Sequence, residues 1–159
     1  MTNGFSSHLA NRQAFFRHPL IPHQLVDTNE RDATTTLFGY KVSAPIGFAP
    51  IGINKTYHPK GQLPVAKVAG ELRLPYALSS AGSNTIDDVA KSNDEGRRLK
   101  GAVQVEGGDN DQPVRFFQLY LPHDDELAVS LMQRAVDAGF TACILTTVSR
   151  LPRIYRCIC

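Results

Sequence analysis

The sequence predicts an α/β protein assembled from parallel βα units, and two observations carry the prediction. Four short runs, residues 46–50, 76–80, 115–120 and 141–146, are five or six residues long, nearly free of charge and bounded by turn residues. That is the pattern of strands buried on both faces of a parallel sheet. Between the runs, apolar residues recur at helical spacing. The order of strand, helix, strand, short helix, strand, helix, strand then requires parallel pairing with right-handed crossovers.

In chain order, residues 32–44 come first. Thr34, Thr35, Thr36, Leu37 and Phe38, then Gly39-Tyr40, then Lys41, Val42 and Ser43 read as a hairpin about a glycine turn. It is expected to plug one end of the structure. The first strand, 46–50, is closed by Pro50-Ile51-Gly52. His58, just before Pro59, belongs to the turn leading into the next helix. Residues 63–72 put Val65, Ala66, Ala69 and Leu72 on one helical face, with Pro64 tolerated in the first turn. After the strand at 76–80, Thr85-Ile86-Asp87-Asp88 reads as a capping box opening a short helix through Ala90. Residues 92–113 are the one long polar stretch, holding Asp94-Glu95-Gly96-Arg97-Arg98 and Gly107-Gly108-Asp109-Asn110-Asp111. They are expected to form a mobile insertion. Beyond the strand at 115–120, Asp124, Asp125 and Glu126 suit the positive end of a helix dipole. Leu127, Ala128, Leu131, Met132, Ala135 and Ala138 then repeat at helical spacing, and Gly139 stands where a C-terminal cap belongs. In the last strand Cys143 alternates onto the helix-facing side, as a small core residue.

The 159 residues carry a formal charge of +2, with Lys and Arg interspersed among Asp and Glu. No basic footprint for nucleic acid results. No run approaches the ~20 apolar residues of a membrane span, and Met1-Thr2-Asn3-Gly4 does not open a signal peptide. Three cysteines form no disulfide framework. Cys157 and Cys159 fall short of the about four ligands of a zinc site. A cytoplasmic, reducing location is the expectation. His8, His18, His23 and His123 lie in polar surroundings and are assigned no role.

The functional signal is the alternation of side chains along the strands. Phe116, Gln118 and Tyr120 face one way; Phe117, Leu119 and Leu121 face the other. Ala77 and Ser79 share a side of their strand, as do Ala142, Ile144 and Thr146. A buried sheet that gathers an amide, a phenol and hydroxyls at one end needs something for them to bind. In α/β proteins ligands sit at that end of the strands. Each residue also has a plain structural reading. Gln118 and Tyr120 can cap a core, and Ser79 and Thr146 alone read as satisfied strand-end hydroxyls.

Four segments taken together resemble one family: Ser43-Ala44-Pro45-Ile46-Gly47-Phe48-Ala49-Pro50-Ile51-Gly52, His58-Pro59-Lys60-Gly61, Leu78-Ser79-Ser80 and Arg115-Phe116-Phe117-Gln118-Leu119-Tyr120. The family is the FMN-dependent α-hydroxy acid oxidising enzymes. Asn11-Arg12-Gln13-Ala14-Phe15 and Asp32-Ala33-Thr34-Thr35-Thr36 resemble its lead-in. The resemblance spans about residues 11–147. It implies a partial TIM (β/α)8 barrel, about three βα units plus a fourth strand preceded by the hairpin, with residues 1–147 as the N-terminal part of that barrel. It also implies FMN as cofactor and a small (S)-2-hydroxy acid, such as lactate or glycolate, as substrate. By position, the backbone of Pro50, Ile51 and Gly52 passes the flavin's reactive edge. Ser79 and Thr146 bond the isoalloxazine ring, Gln118 contacts its pyrimidine end, and Tyr120 donates to the substrate. Ala81 falls where some relatives carry a bulky aromatic, which implies room for larger substrates or a monooxygenase-like branch.

The resemblance stops at Thr147. The family's catalytic histidine and carboxylate-gripping arginines belong to the second half of its barrel, and the aspartate expected two positions after Thr146 is Val148 here. Residues 148–159 read as a tail outside the family, the expected mark of a truncated gene product; intron read-through at Val148-Ser149 is one origin. The family's N-terminal helix, which carries another substrate tyrosine, is expected to be absent. The function expected is that of an FMN-dependent oxidoreductase acting on the CH–OH group of (S)-2-hydroxy acids, here as a chain inactive alone. The alternative is a noncatalytic half-barrel that self-associates through exposed strand edges or pairs with a full-length relative. A partly folded product is a third reading.

Overall fold

The computed structural model describes residues 4–105 and 112–146, and the chain divides into two units, Met1–Asp32 and Ala33–Cys159. The first holds helix α1 (Gly4–Phe16) and a segment without regular secondary structure. An N-terminal helix is therefore present, against expectation, because Leu9, Ala10, Arg12, Gln13 and Ala14 are strong helix formers. It carries no tyrosine.

In the second unit, β1 (Thr35–Leu37) and β2 (Tyr40–Val42) pair antiparallel, Leu37 opposite Tyr40. The two turn residues, Phe38 and Gly39, have φ of 49° and 84°. Positive φ at both is the twist a two-residue hairpin demands. The Phe38 ring meets the Phe116 ring edge-on, centroids 5.7 Å apart. Phe116 is the second residue of strand β4 (Arg115–Tyr120), so the hairpin tip packs at the N-terminal end of the sheet.

That sheet is parallel, in the order β3 (Tyr76–Ser79), β4, β5 (Ala142–Thr146). The run at 46–50 is not a full strand. Only Phe48 pairs, bridging Tyr76, with its N–H on the Pro75 carbonyl and its own carbonyl accepting from Ala77, both at 2.9 Å. Pro45 and Pro50 bracket it without N–H donors. Within the described residues the architecture is a mixed α/β layer with a short parallel sheet and no closed barrel.

Helix α2 (Leu63–Glu71) carries Pro64 in its first turn. Its buried stripe is Ala66, Ala69 and Gly70, while Val65 and Leu72 are each 39% exposed and off the expected core face. The stripe is small because the next helix, α3 (Ile86–Arg97), crosses it closely. A Cβ at Gly70 would strike the Asn93 carbonyl, and one at Gly96 the Lys67 carbonyl.

Helix α3 (Ile86–Arg97) starts where expected, with the Thr85 hydroxyl accepting from the Asp88 N–H at 3.1 Å. It does not stop at Ala90. Ser92 and Asn93, residues that favour loops when isolated, instead donate to the Leu63 and Ala66 carbonyls of α2, each at 2.8 Å. Tertiary bonds to a neighbouring helix thus convert the expected polar insertion into two further helical turns. The chain stays packed beyond them, since Ala102 is buried and the Val103 N–H reaches the Glu71 carbonyl at 2.8 Å. The expectation of mobility for the Gly107-Gly108-Asp109-Asn110-Asp111 segment lies outside the described residues, as do Thr147 and the tail.

Helix α4 (Asp125–Asp137) is capped by Asp124, whose carboxylate accepts from Glu126 and Leu127 at 2.9 and 3.3 Å. Gly139 at φ 75° closes it. The core lies between the helices and one face of the sheet: Ala66, Ala69, Leu78, Val89, Phe117, Leu119, Ala135 and Phe140. Arg115, 4% exposed, spans this layer. Its Nη1 donates to the Ala90 carbonyl at 2.8 Å and to Asp94 at 3.0 Å, and its guanidinium lies 5.7 Å from the Phe140 ring centre. Burial holds its pKa below the ordinary value, with Asp94 opposing that shift.

Strand β5 departs from the expectation of burial on both faces. Ile144 and Leu145 are 39% and 53% exposed. Cys143 is exposed and not a core residue, because no helix among the described residues covers that face. Partial burial still raises its thiol pKa. No described helix is long and apolar enough to cross a membrane.

Candidate functional site

Parallel register places the polar residues side by side. Ser79 lies opposite Gln118, and Tyr120 opposite Thr146. The Ser79 hydroxyl donates to Gln118 Oε1 at 2.8 Å, and Gln118 Nε2 donates to the Thr146 hydroxyl at 2.7 Å. The Ala81 N–H donates to Ser79 Oγ at 3.1 Å, which leaves the serine proton to point at the amide. One hydrogen-bonded line therefore runs across all three strands, in one direction, from the Ala81 main chain to Thr146.

Gln118 is 3% exposed. A buried amide is tolerated because both its ends are paired. One N–H and one carbonyl lone pair remain beyond these two bonds. Thr146, having accepted from Gln118, keeps its own proton to donate. Tyr120 follows Gln118 on the same face and is 37% exposed. Its N–H donates to the Ser80 hydroxyl at 3.1 Å.

Pro50, Ile51 and Gly52 reach this end from the neighbouring loop. A Cβ at Gly52 would stand 3.1 Å from Ala81 Cβ, and the Ile53 N–H donates to the Ala81 carbonyl at 2.9 Å. Ile53 adopts a left-handed φ of 48° to make that turn. The two loops are further locked by Gln62, which is 2% exposed. Its Oε1 accepts from the Ser83 N–H at 3.2 Å, its N–H donates to Asn84 Oδ1 at 3.3 Å, and Ser83 Oγ accepts from the Lys55 N–H at 3.1 Å. His58 sits in the turn before α2, its Nδ1 accepting from the Lys60 N–H at 3.2 Å.

The structure thus joins Ser79, Gln118 and Thr146 directly, sets Tyr120 beside them, and lays Gly52 and Ile53 against Ala81. Sequence reasoning overlooked Ser80 and Gln62. The signal for Ser80 was a second serine where the strand ends; Gln62 gave none, since its burial depends on the fold of both loops. Among the described residues no cluster of three or more His, Cys, Asp or Glu could hold a metal ion.

The sequence profile described as FMN-dependent dehydrogenase matches residues 3–150. The chain belongs to that family. Among curated members of the FMN-dependent dehydrogenases, an FMN-dependent alpha-hydroxy acid dehydrogenase from Penicillium citrinum is 34% identical over 86% of this chain and 30% of its own length. Glycolate oxidase from Spinacia oleracea is 34% identical over 92% of this chain and 34% of its own length. The L-lactate oxidase of Lysinibacillus sphaericus is 31% identical over 86% of this chain and 31% of its own. Among solved structures, an (S)-mandelate dehydrogenase superposes with a TM-score of 0.68 at 30% identity, over 86% of this chain and 33% of that one. A mandelate oxidase gives 0.68 at 28% identity, over 90% and 36%. The chain spans about a third of the length of the curated family members it matches.

Proposed function

We propose that this chain forms the flavin-ring side of an FMN-dependent oxidoreductase acting on the CH–OH group of (S)-2-hydroxy acids such as lactate or glycolate, and that residues 1–159 alone do not turn over. The observation that carries this reading is the Ser79–Gln118–Thr146 line at the C-terminal end of the sheet. Its chemistry fits the group. A flavin's pyrimidine edge is neutral and alternates carbonyls with an imide N–H, and the line offers a spare amide N–H, a spare carbonyl lone pair and a hydroxyl proton, with no charge.

When bound, FMN supplies the two-electron acceptor. Gln118 would hold its pyrimidine end, Ser79 and Thr146 would orient the ring, and the main chain at Pro50, Ile51 and Gly52 would border it. The Tyr120 phenol, on the same face as Gln118, would hold the hydroxy acid. In such barrels the phosphate is gripped by loops after the seventh and eighth strands. Those loops, and the acid–base and carboxylate-binding groups, would come from the two thirds of the barrel that these residues do not span. A cytoplasmic, reducing setting suits the free thiol of Cys143.

The test is flavin binding. Purified chain titrated with FMN is expected to perturb the visible band of oxidised flavin at high flavin concentration, and Gln118→Leu to abolish that change. Neither lactate nor glycolate should bleach the band. Wild-type chain that holds no flavin at any concentration sinks the reading, and turnover by the isolated chain sinks its second clause.

One observation favours a second reading, a noncatalytic half-barrel that pairs with a second copy of itself. The outer edge of β5 is unpaired among the described residues and flanked by exposed Ile144 and Leu145, a template for strand addition. Sedimentation showing a defined, colourless dimer that Leu145→Lys dissociates would support it; a monomer would not.

A further inference from the structure

We propose that Ser80 is a positioning residue whose hydroxyl stands in for a main-chain carbonyl and fixes the backbone from which Tyr120 projects. In a regular parallel ladder a residue donates its N–H to one neighbour and accepts, through its carbonyl, from the residue two further along. Ser80 makes the first bond, donating to the Gln118 carbonyl at 2.8 Å. It does not make the second. The Tyr120 N–H goes to Ser80 Oγ instead, at 3.1 Å.

The reason is local. Directly after β3 the chain folds back on itself, the Ala81 N–H bonding Ser79 Oγ at 3.1 Å and the Gly82 N–H bonding the Ser79 carbonyl at 2.8 Å. That turn carries the Ser80 carbonyl out of the ladder one residue before β4 is finished. A side chain that reaches across closes the gap, so the two strands can separate at the mouth without releasing Tyr120. The bond keeps the Tyr120 N–H within the ladder at a strand end that is already 37% exposed. Adjacent serines therefore do different work. Ser79 orients the Gln118 amide, whereas Ser80 acts through the Tyr120 main chain.

The consequence for substrate holding rests on the function proposed above; the positioning itself does not. Amide hydrogen exchange on the uniformly labelled full chain separates the two. Wild-type protein should protect the Tyr120 amide, Ser80→Ala should lower that protection about tenfold, and Ser80→Thr, which keeps the hydroxyl, should restore it. Phe117 and Leu119 amides should not respond, which a general loss of stability would not reproduce. Flavin binding measured alongside reports on the parent reading alone, and Ser80→Ala should keep it because Ser79, Gln118 and Thr146 are untouched. An unprotected Tyr120 amide in wild-type protein overturns the proposal even if Ser80→Ala fails to fold. So does unchanged protection in a folded Ser80→Ala chain.

Discussion

The Gln118 carboxamide donates to the Thr146 hydroxyl over 2.7 Å, tying the central strand of the sheet to its edge. Because the same amide accepts from Ser79 at 2.8 Å, replacing it removes two bonds and leaves the buried Ser79 proton without its acceptor. Gln118→Leu is expected to destabilise the chain by about 1–3 kcal/mol, the range for unsatisfied buried polar groups. Urea unfolding checks this; an unshifted midpoint would mean the line is dispensable to the fold.

The crossing of α2 and α3 depends on two residues with no side chain. Gly96→Ala and Gly70→Ala each push a methyl into a carbonyl of the other helix. Overpacking of this kind costs about 1–3 kcal/mol or more. Each variant should melt earlier than wild type in a thermal scan, whereas Gly101→Ala, with open space around it, should cost far less.

Asp94 compensates a buried cation. Its removal in Asp94→Ala leaves the Arg115 guanidinium with the Ala90 carbonyl and the Phe140 ring, at a cost of about 1.5–3 kcal/mol. Adding Arg115→Met to that variant should recover part of the loss, because an apolar side chain of similar length needs no counter-charge. A double variant no more stable than Asp94→Ala would contradict this.

Alkaline pH offers a separate handle. Burial pushes the Tyr76 phenol up to about 12 from an ordinary value of 10.0. The folded value is the higher one, so folding favours the neutral phenol. That contribution is fully present below pH 10 and is lost as pH rises through about 12. It amounts to about 2–3 kcal/mol. Stability measured across this window should fall less steeply in Tyr76→Phe than in wild type.

How much the sequence disclosed depends on the range of the interactions involved. The parity of Gln118 and Tyr120, the Thr85 cap and the Gly39 and Gly139 turns are local, and each stands where alternation or capping rules put it. The extension of α3 through Ser92, Asn93 and Gly96 was not legible, because those residues favour loops until α2 offers carbonyls to bond. Cys143 failed for the converse reason. Strand alternation gave its direction correctly, but burial depends on a covering layer that the described residues do not supply. At the site, Ser79 and Thr146 could be aligned by parity, yet their shared bond through Gln118 needed the register of three strands.

Strand β4 meets Phe38 of the hairpin at Phe116 and ends at Tyr120 in an open rim. The two ends of one short strand are thereby held by different means, a ring-edge contact at the floor and the Ser80 hydroxyl at the rim. Just beyond that rim, every position from Ala81 to Asn84 bonds back to Ser79 or Gln62, so reshaping this loop also slackens the sheet end, and variation there carries a penalty in melting temperature.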